Sequence, residues 1–207
     1  MSSVDRQTHW ESVYTTKGEK EVSWFQERPE ISLEFIAATG AGPNSAIVDI
    51  GGGASRLVDA LLDDGYRKLT VLDLSKAALA ASRERLGLRG ETVTWVAADV
   101  TTWRPSEHYD VWHDRAAFHF LTDEKDRHAY VLRLEQALRE GGEAIIGTFA
   151  LNGPERCSGL PVMRYDSSGL TTVLGPKFRL LASREEEHRT PWGASQLFQF
   201  SRFSFSP

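Results

Sequence analysis

Apolar positions along the chain fall into short runs and helical stripes that follow one another. The run Ile47-Val48-Asp49-Ile50 leads into three consecutive glycines, and the stretch 57–62 then carries leucines and a valine on one helical face. Short apolar runs bounded by turn residues are typical of buried strands, whereas recurrence every three to four positions is typical of helices. Gly65 is placed to end the helix. The pattern predicts a strand, a glycine turn and a helix.

The same alternation continues towards the C-terminus. Further strands are predicted at 69–73, 93–98, 109–112, 143–149, 178–183 and 196–203. A helix that begins at the N-cap Ser75 is predicted to reach Leu86, and a later helix carries Val131, Leu134 and Leu138 and stops at Gly141-Gly142. Strands that alternate with helices in this way predict an α/β fold built on a largely parallel sheet.

Two segments lie outside this alternation. The stretch before the first strand predicts one helix over 5–16, with Trp10 among its apolar positions, and a second from Pro29 to Gly40. A segment of about forty residues is too short for a core of its own. Beyond residue 150, clusters of Asn, Gly, Pro and Ser predict an irregular segment over the substrate side.

Composition narrows the class of protein. The 207 residues predict one domain over 1–207, and the formal net charge of −5 disfavours a nucleic-acid partner, because phosphate contacts need a basic surface. The longest apolar run is shorter than the ~20 residues that cross a bilayer, and the N-terminus lacks the apolar centre of a signal peptide. The single Cys157 cannot form an intrachain disulfide and suits a reducing compartment. These features predict a cytoplasmic protein without a membrane partner.

Three acidic residues stand at predicted strand tips. Asp49 lies two residues before Gly51, Asp73 lies 22 residues after that glycine, and Asp99 ends the third strand. The carboxyl ends of parallel strands face one crevice, and an acid about 20 residues after the glycine turn meets ribose hydroxyls in nucleotide-binding folds. The pattern indicates an adenosine-containing ligand. A dinucleotide fingerprint needs a third glycine where Arg56 stands.

From about residue 45 onwards the chain resembles the class I methyltransferases that use S-adenosylmethionine (SAM). Their first motif is matched by Asp49, Gly51 and Gly53, their second by Asp73 in Leu-Asp-Leu-Ser, and their third by Asp99 in Ala-Asp-Val. The resemblance implies a Rossmann-like three-layer sandwich. Its seven-stranded sheet is expected to be mostly parallel, with an antiparallel last strand.

The resemblance also implies where SAM binds. The glycine turn is expected to line its amino-acid part and sulfur, Asp73 its ribose hydroxyls and Asp99 its adenine amine. The complete implied set is Tyr14, Trp24, Asp49, Gly51, Gly53, Asp73, Leu74, Asp99, Val100 and His113.

The aromatic-rich N-terminal region is similar to thiopurine-type and citrate-synthase-lysine-type methyltransferases. This similarity implies that residues 1–44 form a helical lid, that 45–150 form the SAM-binding half and that 151–207 supply substrate-side and closing strands. Tyr14 and Trp24 would then cover the methionine part of SAM, since aromatic faces attract a sulfonium. The alternative is that both side chains only pack the helices onto the sheet.

The substrate side of such folds is the loop after the fourth strand, here 113–120. Its candidate catalytic residues are His113, Asp114, Arg115 and His119. Each histidine is interpreted as a general base or as a structural residue, and His113 also as a backbone contact to adenine. Asp114 and Arg115 are either a pair that orients substrate or an internal ion pair. No third ligand has metal-site spacing beside the two histidines, so no metal is predicted.

The predicted function is SAM-dependent transfer of a methyl group to an oxygen, nitrogen or sulfur nucleophile of a small molecule. Two alternatives stay open at this point. One is a protein-lysine methyltransferase, although Arg115 replaces the lysine of the Asp-Lys pair found in those enzymes near this position. The other is a non-catalytic SAM-binding module. The acceptor and the oligomeric state are not determined by these motifs.

Overall fold

A seven-stranded sheet forms the centre of the computed structural model, which describes residues 3–207 and leaves Met1 and Ser2 of the N-terminal segment outside the description. The strands are β1 (Ala46–Ile50), β2 (Lys68–Asp73), β3 (Thr94–Ala97), β4 (Tyr109–Arg115), β5 (Leu138–Phe149), β6 (Arg156–Cys157), β7 (Leu160–Pro161), β8 (Phe178–Arg189) and β9 (Ser195–Phe205). The sheet order is β3-β2-β1-β4-β5-β9-β8, and β6 pairs with β7 separately. Strands β1 to β5 run parallel, while β9 runs antiparallel to β5 and β8. The predicted fold class is confirmed.

Helices cover both faces of the sheet. They are α1 (Ser3–Thr16), α2 (Glu30–Ala37), α3 (Leu57–Asp63), α4 (Lys76–Leu86), α5 (Glu124–Ala137) and α6 (Ser167–Leu174). On one face, Trp112 of β4 packs in a core with Tyr130 of α5 and Leu170 of α6. On the other face, Val111 belongs to a core with Ile36 of α2 and others from α3 and α4. This alternation along β4 directs successive side chains into the two layers of helices.

The chain bends near Gly141-Gly142, where the helix was predicted to end. Leu138 was predicted as the last apolar position of that helix, but α5 ends at Ala137 and Leu138 has extended backbone as the first residue of β5. The prediction was wrong because a buried leucine satisfies either pattern. The glycines instead bend the strand: a Cβ on Gly142 would lie 3.0 Å from the Arg139 carbonyl oxygen. That close backbone approach brings Leu138 beside Tyr109.

The segment after residue 150 is more regular than predicted. Its Ser167-Ser168-Gly169 sequence, interpreted as a turn, forms the first turn of α6. The Asp166 carboxylate caps that helix by accepting the Gly169 N–H at 2.7 Å, and Leu170 and Leu174 bury one helical face. The predicted strand 178–183 also continues further, because β8 extends to Arg189 as a charged edge strand.

The crossover between β1 and β4 positions the site. Chain order along the sheet reverses at these two strands, so their carboxyl ends leave a crevice of the kind in which α/β proteins bind ligands. The register places Asp49 beside His113 and Ile50 beside Asp114. The predicted glycine-turn stretch and the predicted loop after the fourth strand therefore meet at the carboxyl edge of the sheet. Among residues 3–207, no helix is long and apolar enough to cross a membrane.

Candidate cofactor and acceptor site

A cavity lies at the carboxyl ends of the central strands. Eight of the residues predicted for the site line it: Tyr14, Trp24, Gly51, Asp73, Leu74, Asp99, Val100 and Arg115. A second cavity shares Tyr14, Trp24, Gly51 and Arg115 with the first and is also lined by Asp49 and His113. The structure thus brings the predicted acids, the glycine turn and the aromatic lid together.

The glycine turn lies beside the cavities: Gly51 lines both, whereas Gly53, which was predicted for the site, lines neither. Gly51 and Gly53 have φ angles of +69° and +31°, which side-chain-bearing residues rarely adopt. A Cβ on Gly51 would lie 2.7 Å from the Ala117 Cβ, and one on Gly53 would lie 2.5 Å from an oxygen of Asp73. The glycines therefore allow the turn to pass directly beneath the carboxylate.

Asp73 is a buried carboxylate that has no cationic partner within residues 3–207. Its Oδ1 accepts the Ser75 N–H at 2.8 Å. Burial raises the pKa of Asp73 to about 7, although hydrogen bonding to Ser75 opposes the shift, and repulsion from Asp49 raises the pKa further. Hydroxyl donors from a ligand would stabilise the ionised form of this group.

Asp99, the acid predicted beside adenine, is held by the N-terminal helix. Its Oδ2 accepts a hydrogen bond from Nη2 of Arg6 at 2.9 Å. Its Oδ1 accepts hydrogen bonds from the backbone N–H and the hydroxyl of Thr101 at 2.9 and 2.7 Å. The other terminal nitrogen of Arg6 contacts Asp126. The ion pair between α1 and Asp99 therefore closes this end of the cavity.

His113 supports Asp49. The imidazole is 2 % exposed, with Nδ1 2.7 Å from Oδ1 of Asp49 and Nε2 2.9 Å from the Ser32 hydroxyl. Because a carboxylate only accepts, Nδ1 carries the proton and Nε2 accepts from the serine in the neutral ring. With both nitrogens engaged, the geometry favours the structural interpretation of His113 over the general base.

Asp114 organises the turn after β4. It accepts the N–H groups of Ala117 and Phe118 and, at 2.8 Å, the hydroxyl of Tyr130. Burial raises the pKa of Asp114 to about 6, against the effect of these hydrogen bonds. No ion pair joins Asp114 to Arg115 among residues 3–207, and the two side chains lie on opposite faces of the sheet. The structure does not bring the predicted pair together.

His119 packs between aromatic rings. Its ring centroid lies 4.5 Å from that of Phe120 and 4.9 Å from that of Phe149. Burial lowers the pKa of His119 to about 3, with a further contribution from the positive charge of Arg115. His119 is not among the residues that line either cavity, so the geometry favours packing over catalysis.

Arg115 has an unusual environment for a guanidinium group. Nη1 donates to the Trp24 carbonyl oxygen at 2.9 Å, and the guanidinium carbon lies 4.7 Å from the centre of the Phe198 ring. Nε and Nη2 are shielded from solvent and have no hydrogen-bond partner among the described residues. Burial lowers the pKa of Arg115 to about 10, which leaves the group charged at neutral pH.

An aromatic group covers the cavity. The ring of Trp10 lies 5.7 Å from that of Trp24 and 4.9 Å from that of Phe120, centre to centre. Glu11, the next residue of α1, accepts the Ser75 hydroxyl at 2.8 Å and so ties the lid to the start of α4. The lid contacts both the cofactor acids and the loop after β4.

Sequence reasoning missed Arg6, Trp10 as a lining residue, and Glu11. One signal was available, because Arg6, Trp10 and Tyr14 recur at intervals of four and share a face of α1. An arginine on an otherwise aromatic stripe indicates a buried acidic partner. Within residues 3–207, no three His, Cys, Asp or Glu side chains are grouped to hold a metal ion.

Comparisons with known proteins agree with this geometry. A family model described as a methyltransferase domain matches residues 47–142. Thiocyanate methyltransferase 1 of Arabidopsis thaliana is 28% identical over 186 residues, which cover 88% of this chain and 78% of that protein. These similarities support a class I SAM-dependent methyltransferase.

Two further similarities bear on this methyltransferase. The eEF1A lysine and N-terminal methyltransferase of Danio rerio is 28% identical over 127 residues, which cover 61% of this chain but only 18% of that protein. The N-methyltransferase NodS from Bradyrhizobium japonicum WM9, solved with S-adenosylhomocysteine (SAH), has the same fold with a TM-score of 0.71 at 15% identity, and the match covers 100% of each chain.

The residues of the cavity fit SAM. The glycine turn leaves room beside Asp73 that a Cβ would fill, and the buried Asp73 carboxylate, which has no cationic partner within residues 3–207, can accept further hydrogen bonds from ribose hydroxyls. When bound, SAM supplies an electrophilic methyl group on a sulfonium. The chain's own residues would then hold the reactants in position, and the aromatic lid predicted over residues 1–44 would exclude water.

Proposed function

We propose that this methyltransferase transfers the methyl group to a small-molecule acceptor. The observation that carries the proposal is that one cavity is lined both by Asp73 and Asp99 and by Arg115 and Cys157, with Trp10 and Trp24 among its other lining residues. An extended protein segment would have to displace Trp10 and Trp24 to enter. The plant relative is named for thiocyanate, a small molecule, which supports the proposal.

The acceptor is proposed to enter already in its nucleophilic form. The groups beside its compartment are poor bases at neutral pH, because burial raises the pKa of Cys157 to about 11 and Arg115 keeps its proton. His113 and His119 are engaged in structural contacts. Catalysis then rests on positioning and exclusion of water rather than on a general base.

Arg115 also bears on the protein-lysine alternative. A lysine ammonium would approach a guanidinium that has no ion-pair partner within residues 3–207, and two like charges repel strongly in a site of low dielectric constant. The aligned part of the eEF1A methyltransferase is a small share of that protein. Both points favour a small acceptor over a lysine side chain.

The predicted cofactor contacts follow as part of the same proposal. Asp73 would accept the ribose hydroxyls and Val100 and Leu74 would flank adenine, while Trp24 and Tyr14 would place aromatic faces near the sulfonium. Residues 1–44 would act as the lid. We further propose a cytoplasmic location, which the free thiol of Cys157 suits.

The test uses SAM with an isotopically labelled methyl group. The purified protein is incubated with a cell extract that has been separated by filtration into metabolites and proteins, and label is measured in each fraction. We expect label in the metabolite fraction, its loss with Asp73→Asn, and its retention with Glu91→Gln, an exposed residue outside the cavity.

Two results would contradict the proposal. Label in the protein fraction alone would favour the lysine alternative. SAM binding with no transfer to either fraction would favour a non-catalytic SAM-binding module.

A further inference from the structure

The two unpartnered nitrogens of Arg115 form one edge of the guanidinium group. Nε–H and Nη2–H point in parallel, and this fork matches the two oxygens of a carboxylate. The third nitrogen, Nη1, is occupied by the Trp24 carbonyl oxygen at 2.9 Å. Both fork nitrogens are shielded from solvent and have no partner among the described residues. Buried donors without partners are costly, so this edge indicates a ligand.

The position of Arg115 separates it from the cofactor acids. Its guanidinium stacks on Phe198 of β9, which lies beyond β4 and β5 in the sheet, whereas Asp73 and the β3 tip lie on the other side of β1. Cys157 of the small β6–β7 hairpin lines the same cavity. Arg115 is therefore placed on the side of the cavity away from Asp73 and beside Cys157.

The charges around Arg115 also favour an anionic ligand. Asp99 already pairs with Arg6, and neither Asp99 nor Asp73 forms an ion pair with Arg115 within residues 3–207. Glu186 of β8 is the largest opposing charge on Arg115, and its buried Oε2 likewise lacks a hydrogen-bond partner within residues 3–207. The two side chains nevertheless form no ion pair, and Glu186 does not line either cavity. A cationic sulfonium would add a second positive charge to the same enclosed space.

We propose that the methyl acceptor carries an anionic group, of carboxylate type, which the Nε and Nη2 donors of Arg115 bind. The inference rests on the proposed function and names the chemical class of its acceptor. Such a group would satisfy both buried donors and would separate the guanidinium from the sulfonium. Arg115 is then the residue that selects acceptors by charge.

The test compares ligands that differ only in charge. Formate with formamide, and benzoate with benzamide, are titrated into the SAH complex while tryptophan fluorescence is recorded, since Trp24 contacts Arg115 directly. The proteins are wild type, Arg115→Gln, Arg115→Lys and, as a matched control, Arg67→Gln, which changes an exposed arginine outside the cavity. Thermal unfolding and SAH titration establish that each variant is folded.

We expect at least one anion to bind about tenfold more tightly than its amide to wild type and to Arg67→Gln. The preference should disappear in Arg115→Gln, and Arg115→Lys should keep part of it, because lysine retains the charge but not the fork. Equal affinity of anion and amide in wild type, absence of saturable anion binding, or a preference that survives in Arg115→Gln would overturn the proposal.

A separate arm distinguishes the acceptor from the carboxylate of SAM itself. SAM and decarboxylated SAM are compared in wild type and Arg115→Gln. If the variant loses a preference for SAM over its decarboxylated form, Arg115 binds the cofactor and the acceptor assignment is overturned; an unchanged preference supports it. If wild type binds neither SAM nor SAH, the proposed function fails, and anion titration of the free protein still decides the role of Arg115.

Discussion

The pKa of Asp73 makes cofactor affinity depend on pH. Burial raises that pKa to about 7 in the ligand-free protein, and ribose hydroxyls would donate to the ionised carboxylate. Binding must then expel a proton wherever Asp73 is protonated. We expect SAH affinity to be constant above about pH 8 and to fall as the pH drops through 7. At pH 6 only about one tenth of the carboxyl is ionised, which corresponds to about tenfold weaker binding, or about 1.4 kcal/mol.

The assay is calorimetric titration with SAH from pH 5.5 to 8.5 in buffers of different ionisation enthalpy, which also counts the protons released. Asp73→Asn should bind weakly with little pH dependence, whereas Glu91→Gln should behave as wild type. The raised pKa of Asp73 also makes the free energy of unfolding depend on pH. Because the folded-state pKa exceeds the ordinary aspartate value of 3.8, the native state without ligand binds the extra proton and loses stability as pH rises from about 4 to 7.

Asp73→Asn should therefore raise the free energy of unfolding of the ligand-free protein at pH 8 while it weakens SAH binding. Affinity that is flat from pH 5.5 to 8.5, or tighter at low pH, would refute the reasoning. So would proton release that is equal in wild type and Asp73→Asn.

Three further outcomes test the packing of the site. Gly53→Ala should reduce SAH affinity at least tenfold, because its Cβ would lie 2.5 Å from Asp73; unchanged affinity in titration would contradict this. Arg6→Ala should lower the free energy of unfolding by about 3 kcal/mol, as it leaves Asp99 without its buried cation, and urea unfolding measures the loss. Cys157 should react with a thiol reagent over tenfold more slowly in the native than in the urea-unfolded protein, since its native pKa is about 11; equal rates would argue against burial.

Much of the site was predictable because its chemistry lies at strand ends. A short apolar run followed by glycines places Gly51 at a strand tip wherever the sheet is parallel, and the 22-residue spacing places Asp73 at the next tip. Tyr14 and Trp24 were assigned to the lid from the resemblance alone, and they line the cavity. The roles assigned to these residues in binding SAM stay predictions until the titrations above are made.

The roles of the residues at the end of β4 could not be predicted from the sequence. His113, Asp114 and Arg115 are consecutive in the sequence, and their side chains alternate between the two faces of the sheet. The first supports Asp49, the second caps a turn and binds Tyr130, and the third reaches Phe198. Their partners come from elements distant in the chain, so no local pattern distinguishes a base from a structural residue.

The sequence by itself therefore determined the order of strands and helices, the glycine turn, the three strand-tip acids and the class of cofactor. These depend on local backbone preference and on side-chain periodicity, which neighbouring residues encode. Only the tertiary structure decided that Arg6 pairs with Asp99, that His119 is buried among aromatic rings, and that Arg115 keeps two donors unpartnered. The physical reason is that burial, pairing and pKa depend on every element packed around a group, and those elements meet only when the chain folds.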